Sequence, residues 1–236
     1  MITRAFVLHS GGIDSSTTLA MAVAEFGGDN VISVGVNYGQ RHSIEMEYAS
    51  KFADKLGARR TMLRLGPQPT SMLTDDSIEI PKKSYADLEP GISPTYVPFR
   101  NGQMLSLIAA YAHHWVSDIA GYRQGDDEQI SAQIWFGAHA EDAANWAYPD
   151  CTPEFVGAMA NAIFIGTYQT VRLVTPFIHS TKDEIVRRGV KLGIDYSLTW
   201  SCYHGGEIHC GECPTCIARK ESFAKNHMQD PTQYAK

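Results

Sequence analysis

The stretch that decides the fold is Ala5-Phe6-Val7-Leu8-His9-Ser10-Gly11-Gly12-Ile13-Asp14-Ser15. Its first four residues are an uninterrupted apolar run, as in a strand buried on both faces. Leu19, Val23 and Phe26 then recur at helical spacing, and Gly27-Gly28 ends the element. Between strand and helix lies a turn with two glycines flanked by serines. Such a turn wraps backbone N–H groups around an anion, and the helix behind it adds its positive N-terminal dipole. Ser10 and Ser15 can donate hydroxyl hydrogen bonds, and Asp14 can hold magnesium on bound phosphates. The loop has neither the Lys-Ser/Thr ending of a Walker A motif nor a dinucleotide fingerprint. The expected ligand is the pyrophosphate of ATP. The bland alternative is a Gly-Gly turn with Asp and Ser capping a helix.

Working outward, Val31 to Val36 reads as a second strand. Ile44, Tyr48, Phe52 and Leu56 mark a helix that stops at Gly57, and Thr61 to Leu65 reads as a third strand. This β-α-β-α-β succession predicts an α/β fold with a doubly wound parallel sheet. Residues 66–98, rich in Pro, Ser and Asp, read as a long loop. A helix is expected from about Asn101 to Trp115, then a polar surface excursion from Asp118 to Ser131. Ile134 to Phe136 and Arg172 to Pro176 are the fourth and fifth strands. A helix from Pro153 to about Ile165 has proline in its first turn. Thr181-Lys182-Asp183-Glu184 matches a capping box, with a helix end near Leu192. No repeat or linker divides the 236 residues, so a single domain, 1–236, is expected.

Cys202, Cys210, Cys213 and Cys216 are spaced C-x7-C-x2-C-x2-C. Four thiolates at these spacings converge on one tetrahedral zinc ion (Zn2+), with Gly205, Gly206 and Gly211 easing the fold around it. An iron–sulfur cluster is the rival reading, and His209 is an alternative ligand. The expectation is a C-terminal zinc knuckle at 202–216 followed by a C-terminal helix.

Hydrophobic content of 44% with 19% charged residues is that of a globular protein. No apolar run is long enough to span a membrane, and the N-terminus has no signal-peptide pattern. A cytoplasmic location is therefore expected. The net charge of −6 argues against sequence-independent nucleic-acid binding, which needs Lys and Arg to neutralise phosphates.

Ser10-Gly11-Gly12-Ile13-Asp14-Ser15 resembles the signature of the PP-loop ATP pyrophosphatase superfamily, which cleaves ATP between the α- and β-phosphates. Four further motifs narrow the resemblance: Tyr38-Gly39-Gln40-Arg41-His42, Val97-Pro98-Phe99-Arg100-Asn101, Tyr148-Pro149-Asp150-Cys151 and Leu198-Thr199-Trp200-Ser201-Cys202-Tyr203. In this order, over residues 5 to about 225, they are similar to the 7-cyano-7-deazaguanine synthase family. The resemblance implies that the carboxylate of 7-carboxy-7-deazaguanine is adenylated and that ammonia displaces AMP to give an amide. A second ATP then activates the amide oxygen, leaving the nitrile. It implies ATP, magnesium (Mg2+) and zinc as cofactors, with small-molecule acid and ammonia as substrates. No direct nucleic-acid or membrane partner is implied, and a homodimer is the expected assembly. The alternative is a related ligase that stops at the amide or joins the activated acid to another amine, such as a protein amine. A thiolating enzyme acting on tRNA or a non-catalytic nucleotide sensor is the reading from another class.

By the family match Ser10, Gly11, Gly12, Asp14 and Ser15 hold the pyrophosphate and its magnesium, and the four tail cysteines hold zinc. Arg41 and Lys182 are candidates to neutralise phosphate. Arg100 and Asn101 are expected to face the nucleotide, although Asn101 could simply cap a helix. Tyr148 and Asp150 are candidates to stack on and hydrogen-bond the deazaguanine base. His139, Glu141 and Asp142 follow the fourth strand, and Asp142 is a candidate metal ligand. Three features depart from the family pattern: Phe99, Thr152 and the longer approach Asn145-Trp146-Ala147. All are expected near the substrate pocket, where they bear on the acceptor. Cys151 reads as a packed or substrate-adjacent thiol.

Overall fold

The computed structural model describes residues 2–41, 43–75, 77–84, 87, 93, 95–122, 129–139, 141–143 and 146–235. The chain runs β1 (Ile2–Leu8), α1 (Ile13–Phe26), β2 (Val31–Asn37), α2 (Ile44–Lys55) and β3 (Arg59–Arg64). It continues through α3 (Arg100–Tyr122), β4 (Ile130–Trp135), α4 (Pro153–Gly166), β5 (Val171–Val174), α5 (Lys182–Lys191) and α6 (Pro214–Lys225). All five strands are parallel, in the order β3-β2-β1-β4-β5. Phe6 on β1 is level with Ile32 on β2 and Ile134 on β4.

The apolar run Ala5-Phe6-Val7 of β1 is fully buried because both faces of the sheet are covered there. Phe6 points to one face, into a core with Val34, Ile134 and the α3 residues Leu105, Ile108 and Ala112. Ala5 and Val7 point to the other, against Leu19 and Ala22 of α1 and Phe52 and Ala53 of α2. Alternate residues of one strand thus serve two layers of helices. A third cluster joins Ile13 of α1 to Ile185, Val186 and Phe223, so α5 and α6 pack beside the loop after β1. The chain winds from β1 to β2 and β3 on one side, then crosses to β4 and β5 on the other. The crevice beyond the C-terminal end of β1 is therefore the switch point where doubly wound sheets bind ligands.

Several boundaries differ from the sequence reading. α3 continues to Tyr122, seven residues past Trp115, and β4 begins at Ile130. The polar stretch 118–131 is therefore helix at 118–122 and strand at 130–131; its residues 123–128 lie outside the described residues. The sequence reading ended the helix early because Ser117 and Asp118, both exposed, interrupt the apolar spacing after Trp115. β3 begins at Arg59: an edge strand with Arg59, Met62 and Arg64 exposed carries no continuous apolar signal. β5 spans Val171–Val174 rather than starting at Arg172. The region 66–98 has no strand or α-helix among its described residues. His42 and Asn145 lie outside the described residues. Among those described, no helix is long and apolar enough to cross a membrane.

Candidate active site

A cleft of about 280 Å³ opens beyond the C-terminal ends of β1, β2 and β4. One end is formed by Ser10, Gly12, Asp14, Ser15 and Lys182, the other by Tyr38, Arg100, Asn101, Tyr148 and Cys151.

At the first end, Gly11 has φ 97 and lies so close to α2 that an added Cβ would meet the Glu45 carbonyl at 2.5 Å. Only glycine allows both the turn and the approach. The Ser10 and Ser15 hydroxyls are 3.1 Å apart, and Ser15 Oγ accepts the Ser10 N–H at 3.2 Å. Gly12 is the N-cap of α1 and offers no side-chain cap, so the first N–H groups of α1 remain donors for an anion. The helix-capping alternative for these serines is thereby weakened.

Lys182 Nζ donates to Asp14 Oδ2 at 2.7 Å, across 168 residues of sequence. Burial works against the Asp14 charge, but Lys182 and His139 outweigh it and hold the carboxyl well below the usual carboxylate range. Burial likewise opposes the Lys182 charge, and Asp14 and Asp142 more than restore it, so its ammonium is held above its ordinary value. His139 is 1% exposed, with Nε2 at 3.6 Å from Asp14 and 3.3 Å from Asp142. These carboxylates raise its pKa despite burial. Asp14 Oδ1 is buried with no hydrogen-bond partner. An orphaned carboxylate oxygen facing a phosphate-type loop fits a magnesium ion. Glu141 accepts the Lys182 N–H at 2.9 Å and so anchors the start of α5. The capping box at Thr181 is formed, with Glu184 accepting the Thr181 N–H at 3.2 Å.

Arg41 lines the same cleft, but its guanidinium donates to the Met72 and Ile78 carbonyls, both at 3.0 Å. It ties the segment carrying Met72 and Ile78 to the cleft wall, where Leu73 also lies.

At the second end, Arg100 Nη1 donates to the Tyr38 hydroxyl at 3.2 Å and its guanidinium lies 5.1 Å from the Tyr38 ring centroid. Asp150 is 3% exposed and does not line the cleft; its Oδ2 accepts the Asn101 N–H at 3.1 Å. Asp150, rather than Asn101, therefore caps the start of α3. Asn101 instead donates from Nδ2 to Cys151 Sγ at 3.3 Å. Burial, reinforced by Asp142 and Asp150, pushes the Cys151 thiol well up, which keeps it protonated and inert. The Tyr148 hydroxyl is bonded to Thr95 and, at 3.3 Å, to Ser93.

Two of the family departures stand away from the cleft lining. Phe99, at φ 55, packs its ring over Gly102 and edge-on against Phe155. Thr152 is the N-cap of α4, its Oγ1 accepting the Phe155 N–H at 3.2 Å. Trp146 is 72% exposed. Neither Phe99 nor Thr152 alters the cleft surface itself.

The tail folds back onto the phosphate loop. The Trp200 N–H donates to the Gly11 carbonyl at 2.8 Å. Arg219 of α6, fully buried, bonds Thr199 Oγ1 at 2.7 Å, the Tyr196 carbonyl at 2.9 Å and Asp230 at 2.9 Å. Cys202, His204, Cys210 and Cys213 bring one ligand atom each within 4.8 Å of one another. Cys216 Sγ is 3.9 Å from Cys210 Sγ and in hydrogen-bond contact with Cys202 and Cys213. Sulfurs at about 2.3 Å from a tetrahedral zinc stand about 3.8 Å apart, so the cluster fits zinc. His204 also lies against this cluster, a neighbour that the cysteine spacing did not reveal. His209, the alternative ligand, is engaged elsewhere: its Nε2 accepts the Ser201 N–H at 3.0 Å.

Sequence reasoning also passed over Gln40 and Glu45 as separate contributors to the cleft wall. Gln40 was noticed only as part of a motif. Glu45 sits in the first turn of α2, where acidic residues are ordinary partners of the helix dipole.

Known proteins bear on this architecture. The family described as queuosine biosynthesis protein QueC matches residues 4–227. A protein of Pseudoalteromonas atlantica named 7-cyano-7-deazaguanine synthase is 40% identical over 99% of this chain and 100% of its own length. Proteins of the same name from a Marinomonas species and from Thermoplasma acidophilum are also 40% identical, covering 99% of this chain and 99% and 92% of their own. With the parallel sheet, the phosphate-type loop and the cysteine cluster in place, the chain belongs to the QueC family.

Proposed function

We propose that this chain is an ATP-dependent carbon–nitrogen ligase that converts 7-carboxy-7-deazaguanine and ammonia to 7-cyano-7-deazaguanine. The observation that carries the reading is one continuous cleft joining the Asp14–Lys182 loop to the wall of Arg100, Asn101 and Tyr148. Adenylation needs both ends in one space, because the acceptor oxygen must reach the α-phosphorus. The names of relatives aligned over nearly the whole chain support the same substrate.

In this reading the substrate carboxylate attacks the α-phosphorus, pyrophosphate leaves, and an acyl adenylate remains. Ammonia adds to the acyl carbon and AMP departs, giving the amide. The amide oxygen is then adenylated by a second ATP, and loss of AMP and a proton leaves the nitrile. Ser10, Gly11, Gly12 and Ser15 hold the leaving pyrophosphate with backbone and hydroxyl donors. Lys182, kept charged and aimed by Asp14, neutralises it, and Arg41 braces the segment carrying Met72 and Ile78 while adding positive charge to the cleft. Asp14, with Asp142 behind His139, would hold magnesium, which offsets phosphate charge during adenylation. Arg100 and Asn101 orient the acid, and Tyr148 and the Asp150 it precedes shape the base pocket. Cys202, Cys210, Cys213 and Cys216 would hold zinc in a tetrahedral site, with His204 close beside it. Zinc there is a structural brace, because the segment between the knuckle and Gly11 seats the phosphate loop. The enzyme acts as a single domain in a cytoplasmic homodimer and takes ammonia from solution.

The test is product mass. With Mg-ATP, 7-carboxy-7-deazaguanine and ammonium, the nitrile should accumulate through a transient amide. A product stopping at the amide, or a conjugate formed only when another amine is supplied, would overturn nitrile synthesis in favour of a related amide ligase.

A further inference from the structure

The proposed base pocket leaves one question open: which groups read the hydrogen-bonding edge of the deazaguanine. That edge offers two N–H donors, at N1 and the exocyclic 2-amino group, beside the O6 acceptor. A complementary wall needs a carboxylate next to a fixed donor.

Asp150 is not among the residues lining the cleft: its Oδ2 accepts the Asn101 N–H, and its Oδ1 is buried without a hydrogen-bond partner. Asp14 and Asp142 are engaged with Lys182 and His139. Glu45 lines the cleft, and among the described residues no ion pair holds its carboxylate. Its neighbour Gln40 also lines the cleft. Gln40 Oε1 accepts the Tyr38 N–H at 3.0 Å, which fixes the amide so that Nε2 lies 3.5 Å from Glu45 Oε1. The Nε2 group has a second, long contact to the Val36 carbonyl at 3.4 Å. A carboxylate and an amide N–H thus stand side by side, in an acceptor–donor order that matches the edge of a guanine-type base.

Resting on the deazaguanine reading above, we infer that Glu45 is the specificity-determining residue of this site, accepting the N1–H and 2-amino hydrogens while Gln40 donates to O6. Burial holds the Glu45 carboxyl up to about 7, against the pull of Arg100, Gln40 and Arg60. Near neutrality both protonation forms exist, and a ligand with two N–H donors selects the carboxylate. Gly11 explains the placement of Glu45: the backbone of α2 touches the phosphate loop at the Glu45 carbonyl. Base recognition and pyrophosphate binding are therefore built on one contact.

The experiment compares AMP formation from 7-carboxy-7-deazaguanine with that from its analogue lacking the 2-amino group. The native enzyme should prefer the former by at least about a hundredfold in kcat/KM, because the analogue leaves a buried acceptor unpaired. In Glu45→Gln the preference should fall below about tenfold, mainly through KM for the parent acid, with KM for ATP within about twofold of native. Glu45→Asp, which keeps the charge on a shorter arm, should fall between. Gln40→Leu should weaken both acids alike and leave the ratio unchanged, since both carry O6. Native discrimination retained in Glu45→Gln and Glu45→Asp would overturn the inference while leaving the proposed function intact. No AMP from native enzyme with either acid would overturn the proposed function itself.

Discussion

The two ends of the cleft are built differently. The phosphate end draws most of its groups from residues 10–15, and its pairings are tight: Asp14 with Lys182 at 2.7 Å, Ser10 with Ser15 at 3.1 Å. The acceptor end is assembled from segments far apart in sequence, with Arg100 meeting Tyr38, Asn101 meeting Asp150, and Tyr148 meeting Ser93 and Thr95. A loop that grips pyrophosphate needs backbone N–H groups and one helix terminus, which a short stretch can supply. A pocket that distinguishes one acid from another needs side chains converging from several directions. On the proposed function, the kind of reaction is local in the chain and the choice of substrate is not.

Removing the zinc proposed for the tail should break the phosphate end most severely. Structural zinc contributes on the order of 10 kcal/mol in small metal-held units, and here the cluster secures the segment whose Trp200 N–H holds Gly11. Chelation, or Cys213→Ser, should release zinc, lower the melting temperature and abolish AMP formation. Metal analysis with a thermal melt reads this out, and full activity without zinc would refute the bracing role.

Next in size is Asp14→Asn, expected to lower AMP formation by about a hundredfold to a thousandfold while calorimetric binding of the acid changes little. The Asp14–Lys182 pair also sets a pH window. Asp14 has a depressed folded value, so its stabilisation is present above the unfolded carboxylate value of roughly 3.9 and lost as pH falls through the folded one. Lys182 has a raised folded value, so its stabilisation is present below roughly 10.4 and lost as pH rises through the folded value. Between those limits the pair persists, with one step as pH rises through the raised His139 value, where that imidazolium's support of Asp14 is lost. Denaturant titrations of native and Lys182→Met protein should converge only outside that window.

Arg100→Lys should sharpen the contrast from the other end. A charged hydrogen bond contributes about 1.5–3 kcal/mol, and lysine cannot reproduce the guanidinium's planar contact with Tyr38. The expected result is a rise of roughly tenfold to a hundredfold in KM for the acid, with KM for ATP nearly unchanged. Equal losses for both substrates would erase the division between the two ends. Smallest is Cys151→Ser: turnover should stay within about threefold, since the hydroxyl can still accept from Asn101 Nδ2. A larger loss would restore a chemical role for the thiol.

The same contrast governs what could be read from residues alone. β1, the glycine turn and α1 were legible because burial on both faces leaves an apolar run and the turn demands glycine. The end of α3 and the start of β3 were not, because exposed Ser117 and Asp118 in one and exposed Arg59 in the other break the apolar pattern. Lys182 was identified from its motif, but its contact with Asp14 is visible only once α5 packs beside α1. Asp150 was read as facing the base and lies behind the wall, because a carboxylate two residues from a tyrosine can equally serve the N-terminus of a distant helix. Glu45 escaped notice for the converse reason: a glutamate in a first helical turn has an ordinary explanation. His204 was hidden among cysteines whose spacing already completed a tetrahedron.

The central claim, that one cleft couples pyrophosphate release to activation of a deazapurine acid, is tested most directly by nucleotide stoichiometry. Purified protein would be incubated with Mg-ATP, 7-carboxy-7-deazaguanine and ammonium, with AMP, ADP, pyrophosphate and nitrile quantified together. The account predicts two AMP and two pyrophosphate for each nitrile and no ADP; formation of ADP, or no acid-dependent AMP at all, would contradict it.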